Sequence, residues 1–264
     1  MLDVVKVSKT FNPGTVNEKK ALCDVSLHLD RGDFVTVIGS NGAGKSTLFN
    51  MIGGTFFADS GRILLDGENI TFRPEHKRSK YIGRMFQDPM KGTAPHLSIE
   101  ENLALAFLRA SEHMSPFSRV TKKERESVRE KLAELGLGLE DRMKAPVGLL
   151  SGGQRQALTL LMATVVTPKL LMLDEHTAAL DPATAEKVLE LTRRIVADQK
   201  ITCLMVTHNI ASALSLGNRT VMMNDGQIVL SLEGKERDGM SVTDLMELFK
   251  QKTARSFDND RMLL

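Results

Sequence analysis

The sequence is poor in cysteine and in aromatic residues. Of its 264 residues, two are cysteines, one is tyrosine and none is tryptophan. Cys23 and Cys203 stand far apart and form no C-x-x-C pair, which argues against a disulfide framework or a cysteine metal site and is typical of a reducing compartment. With 35 Lys+Arg against 33 Asp+Glu, the net charge is +2, so composition gives no electrostatic reason to expect nucleic acid as a partner.

A long apolar run is also missing. The longest charge-free stretch of the core region, Gln156–Pro168, includes three threonines and is shorter than the roughly 20 residues of a membrane span. The opening residues MLDVVKVSKTF contain no apolar core of a secretory signal. We therefore expect a chain that does not cross a membrane by itself. Its 26% charged and 42% hydrophobic residues disfavour disorder.

The first third of the chain has the pattern of strands and turns. Apolar residues alternate with a period of two, which predicts half-buried strands, at Val5, Val7, Val25, Leu27 and Leu29. Phe34–Ile38 is a short β-rich run that ends in a glycine loop, as a central parallel strand would. Asp-Gly pairs within Ile63–Gly67 and Val221–Gly226 predict hairpins.

Helical signals dominate the middle of the chain. Ser98–Glu101 and Thr121–Glu124 are capping boxes, and apolar residues then recur at spacings of three and four. These patterns predict a helical insertion from about Leu97 to Thr167. Buried-strand runs return at Leu170–Leu173 and Ile201–Val206, with an N-cap and N1 proline at Asp181 and Pro182 for the helix between them. The sequence thus predicts a strand-rich α/β core interrupted by a helical subdomain.

The clearest motif is GxxxxGK[ST], which spans Gly39–Ser46 directly after the strand predicted at Phe34–Ile38. Glycines allow backbone N–H groups to approach phosphate without a Cβ clash. Lys45 is expected to reach the β- and γ-phosphates and Ser46 to bind Mg²⁺, while a helix from Thr47 directs its positive end at the anion. A glycine-rich turn that matches by chance is the alternative, but the strand–loop–helix context favours nucleotide binding.

Two carboxylates, Asp174 and Glu175, follow the apolar run Leu170–Leu173. The carboxyl ends of parallel strands are where α/β sheets bind ligands. Asp174 is expected to hold Mg²⁺ through water, and Glu175 to polarise an attacking water as a general base. Alone, the pair could be an ordinary strand end; its combination with a phosphate loop favours the functional interpretation.

Leu150–Gln154 reads L-S-G-G-Q and opens an apolar helix, so that Ser151 and the glycine amides form a second anion-binding helix terminus. A nucleotide bound at one phosphate loop does not need a second anion-binding helix terminus from the same chain. The arrangement is explained if this motif closes on a nucleotide held by another copy of the chain. A plain glycine loop before a helix is the alternative.

Together, these motifs resemble the ATP-binding subunits of ABC transporters. The residues in and around the motifs are similar to those of ATPases of prokaryotic amino-acid importers of the tryptophan/tyrosine type. The resemblance runs from about Leu2 to Gly234. It is carried, in order, by Gly39–Thr47, Gln87, Leu150–Gln154, Leu170–Glu175, Ala178–Asp181 and His208. The L-S-G-G-Q signature is highly specific to that superfamily.

The resemblance implies an α/β fold. It consists of a P-loop NTPase core with a mixed, mainly parallel sheet, an N-terminal antiparallel β subdomain and an inserted α-helical subdomain. Residues 1–264 are expected to form a single ATPase domain. Residues 1–96 and 168–234 would make the catalytic core with the β subdomain, 97–167 the helical subdomain with the signature, and 235–264 a C-terminal helix and tail.

The resemblance also implies a role for each matched residue. Catalysis is assigned to Glu175, His208, Gln87 and Lys45, and Mg²⁺ binding to Ser46, Gln87 and Asp174. Phe11 would stack on adenine, and Asp181 would contact the opposite subunit. The full set of implied ATP contacts is Phe11, Gly39, Ser40, Asn41, Gly42, Ala43, Gly44, Lys45, Ser46, Thr47, Ser151, Gly152, Gly153, Gln154 and Asp181.

Two positions depart from the family pattern. Phe11 stands where tyrosine is commoner, and His176 stands where the family usually has proline; histidine does not fix φ beside Glu175 as proline would. The basic cluster Arg73–Arg84 could suggest nucleic acid, but Glu75 lies within it and few aromatics are interleaved. We therefore expect a solvated face there.

The implied function is ATP hydrolysis that energises a membrane transporter, most simply a prokaryotic importer of amino acids or similar small solutes. The implied partners are a second copy or homologue across two ATP sites, transmembrane permease subunits and an extracytoplasmic substrate-binding protein. Nucleic acid is not expected. The chain would act peripherally, at the cytoplasmic face of the cell membrane. An exporter ATPase subunit and a soluble ABC-type ATPase outside transport are the alternatives.

Overall fold

The computed structural model describes residues 1–110 and 122–253. Clustering of contacts divides the chain into two compact units. The first unit comprises the described residues of Met1–Arg78 and Thr202–Leu264, and the second those of Ser79–Ile201. The division into a core and a subdomain at residues 97 and 167 stays a prediction.

The first unit contains two groups of strands. Its elements are β1 (Leu2–Phe11), β2 (Lys19–Leu29), β3 (Phe34–Gly39), α1 (Lys45–Gly53), β4 (Ser60–Leu65), β5 (Glu68–Asn69), α2 (Glu75–Arg78), β8 (Thr202–Val206), α7 (Ile210–Leu216), β9 (Arg219–Asn224), β10 (Gln227–Glu233) and α8 (Val242–Thr253). An antiparallel sheet has the order β2-β1-β4-β5, and a mixed group has the order β10-β9-β3-β8. In the mixed group, β3 is parallel to both β8 and β9.

The strands of the first unit follow the predicted alternation and burial. Val4 and Leu27 pair across β1 and β2 and are both buried. Phe34–Ile38 is buried throughout, as expected of a central parallel strand. The Asp66-Gly67 and Asp225-Gly226 pairs all have positive φ, which is the type I′ hairpin conformation that Asp-Gly favours.

The second unit combines two parallel strands with helices. Its elements are β6 (Ile82–Met85), α3 (Ile99–Ala110), α4 (Lys122–Glu134), α5 (Gly152–Thr164), β7 (Leu170–Asp174) and α6 (Pro182–Asp198). Strands β6 and β7 are parallel. A buried cluster joins α3, α4 and α5 through residues such as Leu103, Leu132 and Leu158.

Helix starts agree with the predicted caps where the structure describes them. Ser98 and Glu101 exchange the hydrogen bonds of a capping box at the start of α3. Asp181 caps α6, and Pro182 is its first residue. The box predicted at Thr121 lies outside the described residues, as do residues 254–264 of the predicted C-terminal segment. Among the described helices, none is long and apolar enough to cross a bilayer.

Candidate nucleotide site

The predicted phosphate loop connects β3 to α1 in the first unit. Gly39, Gly42 and Gly44 have φ values of 151°, 83° and 100°, which L-residues rarely adopt. Space is short as well: a Cβ on Gly39 would lie 2.2 Å from the Met223 carbonyl oxygen, and one on Gly44 would lie 2.6 Å from the Ala21 carbonyl oxygen. Both glycines are therefore required by conformation and by packing.

The turn between β9 and β10 supports the loop from behind. Gly226 donates its N–H to the Ala43 carbonyl at 3.1 Å and accepts a hydrogen bond from the Cys23 N–H at 2.9 Å. These bonds tie the phosphate loop to the β9–β10 turn and, through that turn, to β2.

The amino end of α1 differs from those of other helices that carry candidate site residues. Gly44 is its N-cap, and no side-chain hydrogen bond from a described residue caps it. Ser151, Asp181 and Asn209, by contrast, cap α5, α6 and α7 with their own side chains. A helix amino end without a side-chain cap is a common binding site for an anion.

Lys45 crosses the phosphate loop. Its side chain is buried, and its Nζ donates to the carbonyl oxygens of Gly39 at 2.6 Å and Ser40 at 3.0 Å. A positive charge is therefore concentrated within the loop. Ser46 follows in the first turn of α1 and is exposed.

His208 lies at the same strand edge as the phosphate loop. Strands β3 and β8 are parallel, with Val37 opposite Val206, and the Thr207 N–H donates to the Val37 carbonyl at 3.2 Å. His208 is the next residue and is exposed. The parallel register thus brings Gly39–Thr47 and His208 to one edge of the first unit.

Phe11 ends β1, in the other sheet of the first unit. Its ring meets Phe56 edge to face with centroids 5.4 Å apart, and Lys9 Nζ lies 5.8 Å from its centroid. The ring is half-buried. Phe56 fixes the Phe11 ring from one side, a contact that the sequence did not indicate.

The second unit brings Gln87, Asp174 and Glu175 to one strand edge. Met85 of β6 pairs with Leu173 of β7, so the residues that follow both strands emerge together. Gln87 is exposed, and Glu175 has a left-handed φ of 44°. A non-glycine residue in this conformation is strained, a condition common at functional sites.

Arg84 is a neighbour of Asp174 that sequence reasoning missed. One Nη atom of Arg84 lies 4.0 Å from an Asp174 carboxylate oxygen, and its guanidinium lies 4.6 Å from the centre of the Phe86 ring. The solvated basic face expected for Arg73–Arg84 is wrong for Arg78 as well, which is fully buried. Arg78 and Arg84 both have partners that lie far away in the sequence. A pattern within a single sequence cannot reveal such contacts.

His176, the position that departs from the family, is buried. Its Nε2 lies 3.2 Å from Thr192 Oγ1 of α6, and its carbonyl accepts a hydrogen bond from Gln156 of α5. Burial lowers the pKa of His176 to about 4. The residue after Glu175 thus links β7 to two helices as a neutral imidazole.

The signature motif begins α5 next to the start of α6. Ser151 Oγ accepts from the Gln154 N–H at 3.2 Å, and Gln154 Oε1 accepts from the Ser151 N–H at 3.2 Å. A Cβ on Gly153 would lie 2.2 Å from Thr184 Cγ2, so only glycine allows this approach. Asp181 accepts from the Thr184 N–H, and hydrogen bonds from Thr184 lower the pKa of Asp181.

The oxygen donors available fit a hard cation that shares its ligands with phosphate. Among the residues that the structure describes, no group of three His, Cys, Asp or Glu side chains is arranged to hold a metal ion by itself. The Ser46 hydroxyl and the Asp174 carboxylate are donors of the kind Mg²⁺ prefers, and Mg²⁺ in nucleotide sites takes few protein ligands.

Comparison with known proteins agrees with this geometry. The ABC transporter family model matches residues 22–178. The tyrosine transport ATP-binding protein of Clostridioides difficile is 41% identical over 95% of this chain and 99% of its own. The xylose/arabinose import ATP-binding protein XylG of Sulfolobus acidocaldarius is 32% identical over 94% of both chains. A solved dimeric ATP-binding cassette with ADP and Pi bound is 28% identical, with a TM-score of 0.74 over 88% of this chain and 98% of that chain.

The fold and the phosphate loop define an α/β P-loop NTPase of the ATP-binding cassette type. The chain belongs to the ABC transporter family, as its ATP-binding subunit. It is therefore an ATP-hydrolysing enzyme, and the resemblance drawn from the motifs is confirmed.

Proposed function

We propose that this chain hydrolyses ATP as half of a head-to-tail dimer and thereby energises an importer of aromatic amino acids or similar small solutes. The observation that carries the proposal is the unequal capping of its helices. No described side chain caps the amino end of α1, which follows three glycines of positive φ and is suited to bind an anion. The signature helix α5, by contrast, is capped by its own Ser151. One copy thus supplies the phosphate cradle, and a second copy supplies the signature.

In this proposal, the phosphate loop holds the nucleotide. Backbone N–H groups of Gly39–Thr47 bind the β- and γ-phosphate oxygens, and Lys45 adds the positive charge that already lies within the loop. Phe11 stacks on adenine from the side that Phe56 leaves open. Ser46, Asp174 and Gln87 would hold Mg²⁺, which when bound offsets negative charge on the phosphate oxygens.

Glu175 is the general base of the proposed reaction. Its carboxylate accepts a hydrogen bond from the attacking water and takes the water's proton as the water oxygen bonds to the γ-phosphorus. The bond between the γ-phosphorus and the β,γ-bridging oxygen breaks in the same reaction, so that ADP leaves and inorganic phosphate forms. Gln87, which emerges from the neighbouring strand edge, orients the same water. Lys45 and His208 stabilise charge on the γ-phosphate oxygens.

Ser151–Gln154 and Asp181 are proposed to act on the other copy's nucleotide. Ser151 and Gly152 are exposed, and the contact between Gly153 and Thr184 sets the start of α5 against the start of α6. The dimeric state of the related cassette with ADP and Pi supports this arrangement. Because each site would be divided between two chains, hydrolysis and opening of the dimer would be linked.

The membrane partner is proposed to contact the segment after Gln87. Met90, Leu97 and Leu105 are apolar residues of the second unit that are more than a third exposed. Scattered exposed apolar residues are ordinary, but three in and beside Asp88–Leu97 suit a docking surface for a permease. The chain would then act at the cytoplasmic face of the membrane, together with permease subunits and an extracytoplasmic substrate-binding protein.

The substrate class rests on the relatives. The Clostridioides difficile protein, named for tyrosine transport, supports an aromatic amino acid, and the Sulfolobus protein, named for xylose/arabinose import, supports the inward direction. An ATPase subunit of an exporter is the alternative.

The proposal is tested with the chain purified together with its membrane partner and reconstituted in proteoliposomes. We expect ATP-dependent movement of labelled tyrosine or tryptophan, and ATP hydrolysis stimulated by these amino acids but not by xylose. A complex that carries Glu175→Gln serves as the control for energy coupling. Purification without any membrane protein, or hydrolysis that no candidate solute changes, would contradict the importer assignment.

A further inference from the structure

Arg78, at the end of α2, is a buried cation that donates hydrogen bonds to four backbone carbonyls. It is 1% exposed. Its Nε donates to the Arg73 carbonyl at 2.6 Å and its Nη2 to the Thr71 carbonyl at 2.9 Å. Its Nη1 donates to the carbonyls of Met51 at 2.7 Å and Ile52 at 2.8 Å. Burial lowers the pKa of Arg78 to about 10, so the guanidinium remains charged near pH 7.

Two of these acceptors belong to the last turn of α1, the helix whose first turn holds Lys45 and Ser46. The last carbonyls of a helix have no partner within it and carry the negative end of its dipole. Gly54 donates its N–H to the Asn50 carbonyl, and Arg78 takes the next two carbonyls. Helix α1 has no basic residue in its own last turn, so the cation comes from another segment.

Gly54 makes room for this contact. It has a left-handed φ of 93°, and a Cβ there would lie 2.8 Å from Arg78 Nε and 3.0 Å from Arg78 Cδ. A side chain at this position would displace the guanidinium from the helix end. The glycine at position 54 therefore allows Arg78 to reach the carboxyl end of α1.

We propose that Arg78 is a positioning residue for the ATP site, an inference that rests on the proposed function. Helix α1 is a short rod of nine residues, so a change at its carboxyl end moves its amino end. By binding Met51 and Ile52, Arg78 fixes the direction in which Lys45 and the first-turn N–H groups point. Its charge also offsets the negative end of the helix, which makes the potential at the amino end more positive.

Arg109 provides a matched control in the second unit. It is also a partly buried arginine at a helix end, and its Nη2 donates to the Met162 carbonyl in the last turn of α5 at 3.1 Å. Burial lowers the pKa of Arg109, as it does for Arg78. Replacing Arg109 removes one arginine–carbonyl contact from the end of a helix that does not carry the phosphate loop.

The test is calorimetric titration of the full chain with Mg²⁺ and ADP, because ADP binding by a single chain requires no dimer. The variants are Arg78→Met, Arg78→Lys and Arg109→Met, and Lys45→Ala marks loss of the phosphate loop. We expect Arg78→Met to raise the Kd about tenfold, because displacements near 1 Å can cost far more in a preorganised site. Arg78→Lys keeps the charge but not the planar fork of donors, so its Kd should rise about threefold.

Arg109→Met should leave the Kd within about twofold of the wild type. In hydrolysis assays, Arg78→Lys should raise KM for ATP more than it lowers kcat. A folded Arg78→Met with the wild-type Kd, or an equal rise in Arg109→Met, overturns the inference. If Arg78→Met does not fold, a wild-type Kd in Arg78→Lys overturns it instead. A wild type that binds ADP no better than Lys45→Ala overturns the proposed function itself.

Discussion

The imidazole of His176 is enclosed directly after Glu175. Thr192 donates its hydroxyl to the Val188 carbonyl at 2.8 Å, which leaves its oxygen to accept a hydrogen bond from His176 Nε2–H. The ring is therefore held as one neutral tautomer between β7 and α6. Where proline would restrict the backbone after Glu175 directly, this chain restricts it through buried side-chain contacts.

The stability of the metal-free protein should depend on this ring. The ordinary histidine pKa is 6.5, and burial lowers that of His176 to about 4, so the unfolded chain binds a proton in this window while the folded chain does not. The free energy of unfolding is therefore undiminished above pH 6.5 and falls as the pH drops toward 4, by up to about 3 kcal/mol. Denaturant unfolding in EDTA, compared between wild type and His176→Leu, measures this loss.

The control for this experiment is His28→Gln. His28 is half exposed, and its hydrogen bond to the Asp3 carboxylate raises its pKa. Replacing His28 should therefore not reduce the loss of stability at acid pH. Equal pH slopes for wild type and His176→Leu between pH 4 and 6.5 would contradict the buried neutral ring.

At the residue scale, local patterns allow predictions of chemistry but not of environment. The roles of Lys45 and Glu175 stay predictions, which rest on such patterns. The burial of Arg78 could not be predicted, because its partners include the end of α1. The position of Arg84 beside Asp174 could not be predicted either, because Asp174 belongs to β7. A run of basic residues has the same pattern whether it faces solvent or backbone carbonyls.

At the scale of elements, the contact between α5 and α6 depends on one glycine. A Cβ on Gly153 would lie 2.2 Å from Thr184 Cγ2, whereas one on Gly152 would lie 3.2 Å from the Leu180 side chain. Gly153→Ala should therefore destabilise the chain by about 1–3 kcal/mol through overpacking. Thermal and denaturant unfolding measure the effect.

A second substitution tests the cause. Thr184→Ser removes the clashing methyl group and keeps the N–H that Asp181 accepts, so Gly153→Ala with Thr184→Ser should regain most of the lost stability. Gly152→Ala is the neighbouring control and should cost less. If Thr184→Ser rescued nothing, the close approach of the two helices would not be the source of the effect.

Element types were predictable where a local signal exists. Capping boxes, Asp-Gly turns and a buried β-rich run indicated α3, two hairpins and β3, and the structure has all of them. Boundaries were less predictable. Helix α1 begins at Lys45 rather than Thr47 because Gly44 takes the left-handed N-cap conformation, which depends on its packing against Ala21.

At the scale of the whole molecule, the proposed reaction takes place between two chains. The amino end of α1, which no described side chain caps, and the self-capped signature helix α5 are complementary features of one sequence. The family assignment and the fold followed from the sequence, whereas the identity of a membrane partner cannot, because no local pattern records it.

Sedimentation velocity of Glu175→Gln with Mg²⁺ and ATP, together with its rate of hydrolysis, tests this claim most directly. Loss of the general base should slow hydrolysis by about 100-fold or more and leave binding intact, so ATP should hold the variant as a dimer while ADP does not. Glu236→Gln, at an exposed carboxylate, should behave as the wild type. A Glu175→Gln protein that stays monomeric with ATP and hydrolyses it at the wild-type rate would contradict both the assigned base and the shared site.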